Sequence, residues 1–224
     1  MGVDRLIGLE RNLLTGTEDI PFGLKVGHTW HEIGVIFHVV EAFGIRGFVE
    51  LGVHEGGLAA LMVARTFYRH DFHYLGVELD AGVVRTELKD MLAVANPQAA
   101  QVIYGDVFSD SVKQDVQAFM ARVGRQCLLY CDDGDKPREL REYAPLIRPN
   151  DSGIKTTGDI LMVHDFWDGQ REPQDLFGYG STLDFPRAEV LPADVKQFAP
   201  MAWSKAVPSW LAETRIAAYF REGG

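Results

Sequence analysis

Acidic residues and glycines recur where three apolar segments of the chain end. The first segment ends in ELGVHEGG (50–57), the second in GVELD (76–80) and the third in YGDV (104–107). Glycines let the backbone turn tightly and approach a ligand closely, and a helix that follows presents N–H groups to an anion. The acids offer partners for other groups: Glu50 for an ammonium, Glu78 for ribose hydroxyls and Asp106 for an exocyclic amine.

The glycine loop does not match the two common phosphate-binding motifs. GxGxxG would need glycine at His54, and GxxxxGK[ST] would need lysine at Leu58. The spacing ExGxxxGG instead fits a ligand that carries both a carboxylate and an ammonium. A plain strand-to-helix turn with glycines for packing stays open, as does a helix-capping role for Asp80.

Alternating strand and helix patterns from residue 46 onward must position these residues. Strands are predicted over 47–51, 72–79, 101–108, 127–131, 160–163 and 214–220, and helices over 30–43, 58–67, 82–95, 112–123 and 138–147. Repeated βαβ units build a parallel sheet whose two faces are covered by right-handed crossovers. Ligands of such a sheet lie at the carboxyl ends of its strands, which is where the acids and glycines fall.

On these residues, positions 46–166 resemble the class I S-adenosylmethionine-dependent methyltransferases. The resemblance implies an α/β fold with a single Rossmann-like, doubly wound, mostly parallel seven-stranded sheet and helices on both faces. It implies that the glycine loop holds the methionine part of S-adenosylmethionine, that Glu78 holds the ribose, and that Asp106 meets the adenine. The implied cofactor-binding residues are Glu50, Gly52, His54, Gly56, Gly57, Glu78, Asp106 and Asp132.

A narrower resemblance rests on LYCDDGDK (129–136), on REYAPLIRP (141–149) and on GDILMVHDF (158–166). These segments are similar to the cephalosporin hydroxylase and macrocin-type sugar O-methyltransferase group, and more distantly to catechol O-methyltransferase. That group implies a divalent metal, Mg²⁺ or Mn²⁺, held by Asp132, His164 and Asp165. Such an ion lowers the pKa of a coordinated hydroxyl and orients it for attack on the methyl group. The implied reaction is metal-assisted O-methylation of a hydroxyl on a small molecule such as a natural product, sugar or phenol.

Two residues depart from the pattern of this group. His164 stands where relatives place an acid, and imidazole suits Mn²⁺, Fe²⁺ or Zn²⁺ better than Mg²⁺. Either the metal differs or is absent, or His164 simply hydrogen-bonds a neighbour. Asp135 stands where relatives carry a histidine or lysine base, and an unperturbed aspartate is a weak base at neutral pH. It caps the following helix, acts as the base, or does both. The candidate catalytic residues are Asp135, Lys136 and His164.

Two other functions stay open at this point. One is metal-independent N- or C-methylation, and the other is S-adenosylmethionine binding without methyl transfer. The acceptor cannot be identified from the sequence, although Trp167, Tyr179 and Phe185 fit either an aromatic lid over an acceptor or ordinary packing.

Composition excludes several classes of protein. The 224 residues carry a formal charge of -10 and are 46% hydrophobic, which predicts one folded domain rather than a disordered chain. Its parts are an N-terminal helical segment (1–45), the cofactor-binding core (46–166), and an acceptor loop with closing strands (167–224). The absence of a basic cluster argues against nucleic acid, and the absence of a long apolar run argues against a membrane.

The remaining expectations concern location and partners. Without a secretory signal the expected location is the cytoplasm. Cys127 and Cys131 are predicted to be buried free thiols that point to one face of a strand. The expected partners are a small-molecule acceptor and, at most, a second copy of the chain in a homodimer.

Overall fold

A seven-stranded sheet forms the centre of the protein. The computed structural model describes residues 24, 28, 30–150, 158–164, 193–197 and 216–223. Its strands are β1 Gly47–Leu51, β2 His73–Glu78, β3 Ala100–Tyr104, β4 Cys127–Cys131, β5 Ile160–Val163, β6 Val195–Gln197 and β7 Ala217–Arg221. The order is β3-β2-β1-β4-β5-β7-β6, with β1 to β5 mutually parallel and β7 antiparallel to both of its neighbours. The predicted mostly parallel, seven-stranded sheet is confirmed.

Helices cover both faces of this sheet. They are α1 Trp30–Ala42, α2 Gly57–Tyr68, α3 Thr86–Val94, α4 Asp110–Val123 and α5 Lys136–Tyr143, the last followed by the 3₁₀ turn Ala144–Leu146. Apolar residues of α1, α2 and α3 share one buried cluster with Phe48 and Tyr130, whereas α4 and α5 share a second cluster with Val49 and Leu129. Successive strand residues point to opposite faces, so each strand serves both clusters. The doubly wound arrangement is therefore confirmed.

Cys127 and Cys131 are buried free thiols, and both belong to the α4–α5 cluster, as predicted. Among the helices that the structure describes, none is long and apolar enough to cross a membrane.

The predicted start of α3 at residue 82 is wrong, because a turn precedes the helix. The Asp80 carboxylate accepts the Gly82 N–H at 2.7 Å, and the Val83 N–H reaches the Asp80 carbonyl at 3.2 Å. This side-chain turn occupies the residues that the apolar spacing assigned to the helix, which begins only at Thr86. Asp80 thus closes a turn and does not cap the helix.

The predicted ends of β3 and α5 are also displaced. β3 ends at Tyr104, which pairs with Glu78, the last residue of β2, and the Gly105 N–H makes the final bond of this ladder to the Glu78 carbonyl at 2.9 Å. α5 ends at Tyr143 because Pro145 has no N–H to continue the helical pattern, and the chain tightens into the 3₁₀ turn.

Strand register brings the polar strand ends to one edge of the sheet. Leu51 pairs with Val77 on one side and with Cys131 on the other, and Cys131 pairs with Val163. The residues that follow β1, β2, β4 and β5 therefore meet at the carboxyl edge, where the sequence predicts a site. Asp165, the aromatic residues Trp167, Tyr179 and Phe185, and the start of the predicted strand at 214 lie outside the described residues.

Candidate functional site

The glycine loop between β1 and α2 packs against the turn after β4. Gly52 has a φ of 89°, and a Cβ there would lie 2.8 Å from the Asp132 carbonyl oxygen and from the Asp133 Cα. Gly56 has a φ of 99° at the N-cap of α2, where a Cβ would meet Leu88 at 2.4 Å. Both glycines are required by left-handed backbone and by close approach, so the loop is fixed rather than loosely connected.

Glu50 is a buried carboxyl group with a tyrosine partner. It is 2% exposed, and the Tyr74 hydroxyl donates to its Oε2 at 2.6 Å. Burial raises the pKa of Glu50 well above its ordinary value. The Tyr74 hydrogen bond opposes this shift, while the Asp132 and Glu78 charges add to it. A cationic ligand group would favour the ionised form. Sequence reasoning missed Tyr74, whose only signal is that of a strand aromatic.

Glu78 ties the glycine loop to the turn after β2. Its Oε2 accepts the His54 N–H at 2.7 Å, and its Oε1 accepts the Asp80 N–H at 3.1 Å. His54 itself has a φ of 52°, unusual for a residue other than glycine. An ionised carboxylate has about four acceptor positions, so Glu78 can hold the loop and still accept from ligand hydroxyls.

A cavity of about 250 Å³ opens at this edge. Its lining is made of strand-end and loop residues: His28, Glu50, Gly52, Val53, His54, Gly57, Leu58, Glu78, Asp132 and Asp133. Six of the predicted cofactor-binding residues are among them. The other two differ: Gly56 caps α2, and Asp106 is exposed, accepts the Phe108 N–H at 2.8 Å and is not part of the described lining.

Asp132, directly after β4, joins this cavity to a cluster of nitrogen groups. Its Oδ1 lies 2.9 Å from His164 Nδ1 and 3.3 Å from Lys136 Nζ, and its Oδ2 lies 3.1 Å from His28 Nε2. Burial opposes ionisation of Asp132, but the two histidines outweigh it and hold its pKa well below the ordinary value. Asp132 is therefore a carboxylate with three side-chain nitrogens around it.

His164, directly after β5, lies between two carboxylates. Its Nδ1 faces Asp132, and its Nε2 lies 3.3 Å from Oε1 of Glu32, which is 1% exposed on α1. Burial lowers the pKa of His164, but the two carboxylates raise it to about 9. The structure thus brings Asp132 and His164 together, as the metal prediction requires. The third predicted ligand, Asp165, lies outside the described residues.

His28 is a site residue that sequence reasoning missed. Its side chain is 4% exposed, and its Nε2 lies 2.7 Å from the Tyr130 hydroxyl as well as close to Asp132. Its Nδ1 is buried and has no hydrogen-bond partner among the described residues. The sequence offers only a histidine just before an apolar helix. Its position beside β4 and β5 depends on how that N-terminal segment packs.

Three of these residues could hold a metal ion. His28, Asp132 and His164 each offer one ligand atom, and these atoms lie within 4.8 Å of one another. Glu32 on the second nitrogen of His164 makes the carboxylate–histidine arrangement that commonly orients a metal ligand. The Nδ1 atom of His28 accepts and donates no hydrogen bond among the described residues. The donor set therefore fits a divalent ion.

The candidate catalytic residues lie in different surroundings. Asp135 is exposed and accepts the Arg138 N–H at 3.1 Å, which confirms its predicted role as the N-cap of α5. Lys136 is 4% exposed, and its Nζ lies 3.3 Å from Asp132 and 3.9 Å from Glu139. Lys136 and His164 thus face Asp132, whereas the Asp135 carboxylate lies at the helix terminus.

Glu139 holds the turn that presents Asp132. It is fully buried on α5, and its two oxygens accept the Gly134 N–H at 2.9 Å and the Asp133 N–H at 3.4 Å. Burial raises the pKa of Glu139 to about 7, although the Lys136 ammonium lowers it. This buried acid, which the sequence did not single out, fixes the backbone between β4 and α5.

Comparison with known proteins identifies the fold. No family model and no curated protein sequence matches the chain. An apo structure of CmcI (N160) has a TM-score of 0.59 at 15% identity, covering 100% of this chain and 85% of CmcI. A Mg-SAM structure of CmcI (D160) has a TM-score of 0.55 at 16% identity, covering 90% and 75%.

A Staphylococcus aureus protein provisionally assigned as a caffeoyl-CoA O-methyltransferase has a TM-score of 0.54 at 8% identity, covering 98% of each chain. At these identities the likeness is one of fold. The chain has the class I methyltransferase fold that the sequence resemblance implied.

Proposed function

We propose that this protein is an S-adenosylmethionine-dependent O-methyltransferase that acts, with the help of a divalent metal ion, on a hydroxyl group of a small molecule. One observation carries the proposal. Asp132 belongs both to the lining of the cavity with Glu50 and Glu78, and to the cluster with His28 and His164. A cofactor in the cavity and a metal-held acceptor would therefore share one boundary residue.

The cavity residues suit the cofactor group by group. The buried Glu50 carboxyl offers a partner for the ammonium of the methionine part, and the N–H groups at the start of α2 offer partners for its carboxylate. Glu78 accepts from ribose hydroxyls with the lone pairs that His54 and Asp80 leave available. The fold neighbour CmcI, with its Mg-SAM structure, supports the same cofactor for this chain.

The cluster residues suit deprotonation and positioning of a hydroxyl. S-adenosylmethionine supplies an electrophilic methyl group on a cationic sulfur, and a divalent ion supplies charge that favours the ionised hydroxyl. Asp132 and His164 would hold that ion close to the cavity, while Glu32 keeps the His164 ring in place. The Lys136 nitrogen, 3.3 Å from Asp132, can accept the hydroxyl proton when it is neutral, or stabilise the resulting oxyanion when it is charged.

Two measurements test this proposal. Calorimetry with S-adenosylmethionine and S-adenosylhomocysteine is expected to show one binding site for each, and failure of both to bind would defeat the proposal. A panel of catechols, phenols and sugars is then assayed for methyl transfer with Mg²⁺ or Mn²⁺ and with excess EDTA. Turnover that EDTA removes and the metal restores is the expected result.

One observation favours a second candidate, a metal-independent methyltransferase. The Asp132 carboxylate already contacts three nitrogen groups, of His28, Lys136 and His164, so positive charge from the protein itself can balance it. Full turnover in excess EDTA would select this candidate. Cofactor binding without turnover on the whole panel would instead favour a protein that binds S-adenosylmethionine without methyl transfer.

A further inference from the structure

We infer that the metal site of this protein is a two-histidine, one-carboxylate site that selects a transition ion such as Mn²⁺, Co²⁺ or Zn²⁺ over Mg²⁺, and that His28 is one of its ligands. The inference rests on the proposed function, because it specifies the metal of the same site. It adds a ligand from the segment before α1, which the sequence did not indicate.

The types of ligand in this cluster disfavour Mg²⁺. Of the three residues whose ligand atoms cluster within 4.8 Å, one is a carboxylate and two are imidazoles. Mg²⁺ binds oxygen ligands and releases its waters reluctantly, whereas imidazole nitrogen suits later divalent ions, whose affinities rise along the series from Mn²⁺ to Cu²⁺. A site with two imidazoles therefore disfavours Mg²⁺ by its chemistry.

The surroundings of His164 are those of a metal ligand. A histidine that binds a metal through one ring nitrogen usually donates the other N–H to a carboxylate, which fixes the ring and its tautomer. Glu32, 1% exposed, lies 3.3 Å from His164 Nε2, so the other nitrogen, Nδ1, is the one that faces Asp132. The helix that carries Glu32 thus orients His164 toward the cluster.

His28 lies beside both Asp132 and His164. Its side chain is 4% exposed, its ring centroid lies 4.5 Å from that of His164 with the rings tilted by 37°, and its Nδ1 has no hydrogen-bond partner among the described residues. Its Nε2 faces the cluster, 3.1 Å from Asp132 Oδ2, so this nitrogen is the one that would bind the ion. A role in metal binding accounts for the position of His28 at the junction of the cavity and the cluster.

The test is metal binding to the full chain after dialysis against a chelator. Titration with MgCl₂, MnCl₂, CoCl₂ and ZnCl₂, each alone, is expected to give one site that binds Co²⁺ and Zn²⁺ at least about tenfold more tightly than Mg²⁺. The His28→Gln variant keeps a polar side chain but loses the imidazole. It is expected to weaken Co²⁺ and Zn²⁺ binding by about tenfold or more.

A matched variant and a spectroscopic readout keep the test independent of folding. His73→Gln changes a histidine at the start of β2, at the opposite edge of the sheet, and is expected to leave metal affinity unchanged. Pulsed EPR of the Mn²⁺ form of the unmutated protein is expected to show nitrogen couplings from two imidazoles, and the His28→Gln variant to show one fewer.

Several outcomes would overturn the inference: no metal binding, Mg²⁺ bound as tightly as Zn²⁺, one imidazole or none in the unmutated protein, or metal affinity in His28→Gln equal to that of His73→Gln. Calorimetry with S-adenosylhomocysteine separates the two proposals. Cofactor binding without transition-metal binding defeats this inference alone, and metal binding without cofactor binding defeats the proposed function alone.

Discussion

Two aspartates stand at opposite ends of the same pair of strands: Asp159 is buried, whereas the Asp132 side chain is 17% exposed, and their partners differ. Asp159 precedes β5 and is fully buried. Its oxygens accept the Cys127 N–H at 2.8 Å, the Arg148 N–H at 2.9 Å and two bonds from the Arg148 guanidinium at 2.7 and 2.9 Å. Asp132 follows β4, and its described partners are the side-chain nitrogens of His28, His164 and Lys136.

The contrast separates a structural carboxylate from one that can exchange partners. Backbone N–H groups and a guanidinium fork saturate Asp159 with donors that neither titrate near neutral pH nor bind metals. Two of the three groups around Asp132 are imidazoles, which bind metals. Burial alone therefore does not identify a functional acid in this protein, whereas the chemistry of its partners does.

The largest expected effect comes from changing each aspartate in turn. Asp132→Asn is expected to reduce methyl transfer by about a hundredfold or more, because several kcal/mol of transition-state stabilisation depend on this charge. Asp159→Asn is expected to lower the free energy of unfolding by about 1–3 kcal/mol, because the buried carboxylate that accepts from the Cys127 and Arg148 N–H groups and from the half-exposed Arg148 guanidinium is replaced by a neutral amide.

Denaturant unfolding measures the stability of each variant. The rate of methyl transfer to an acceptor found in the panel measures its activity. The contrast fails if Asp132→Asn keeps the rate of the unmutated protein. It also fails if Asp159→Asn loses cofactor affinity while keeping its stability.

Two glycines offer a second test, since each allows backbone contact at one of the two edges. A Cβ at Gly52 would lie 2.8 Å from the Asp132 carbonyl oxygen, and one at Gly158 would lie 2.6 Å from the Asn150 nitrogen. Alanine at either position is expected to cost about 1–3 kcal/mol of unfolding free energy through overpacking. Only Gly52→Ala is expected to weaken S-adenosylhomocysteine binding as well. Gly134→Ala is the control, because a Cβ there meets no atom of the described residues within 4 Å. Equal loss of ligand affinity in all three variants would remove the distinction.

Glu50, at the carboxyl edge, is expected to couple ligand binding to proton release. Its pKa is raised by burial, so a cationic ligand group is expected to ionise it, and binding should release a proton. Affinity for S-adenosylhomocysteine is then expected to rise with pH above the ordinary Glu pKa of 4.5. Glu50→Gln is expected to lower affinity by about tenfold and to remove this dependence.

Calorimetry in two buffers of different protonation enthalpy measures the proton release directly. Glu222→Gln, an exposed change at the opposite edge, is expected to preserve both affinity and proton release. A proton release that persists in Glu50→Gln would assign the coupling to another group.

The smallest effect is the pH dependence of stability from Glu139. Its pKa is about 7 in the folded protein against 4.5 as the ordinary value, so its contribution to stability is complete below 4.5 and is lost as pH rises through 7. Unfolding free energy is expected to be about 1 kcal/mol lower at about pH 7 than at about pH 6. Urea unfolding in the presence of chelator measures this slope, which Glu139→Gln should flatten. A slope unchanged by Glu139→Gln would contradict the assignment.

The carboxyl edge could be predicted from sequence because local periodicity determines it. Once β1, β2 and β4 are recognised, the residues that follow them must meet, which places Glu50, Glu78 and Asp132 together. The capping role of Asp135 is equally local, since it depends only on the three residues that follow.

The remaining residues of the site depend on tertiary packing. His28 and Glu32 come from a segment whose contact with β4 and β5 leaves no periodic signal, and Tyr74 has the pattern of an ordinary strand aromatic. Asp159 was not foreseen for a related reason, because its bond to the Cys127 N–H exists only when β4 and β5 are neighbours.

The position of β7 between β5 and β6 sets an order in which the sheet can be assembled during synthesis. β6 is made first, but its pairing partner in the sheet is β7, which comes later in the chain. Until β7 emerges from the ribosome, β5 keeps an unpaired, wholly apolar edge (ILMV), which favours association with other chains. The nascent protein therefore still has an apolar strand without its partner late in translation, when the strands that carry its ligand edge have already been made.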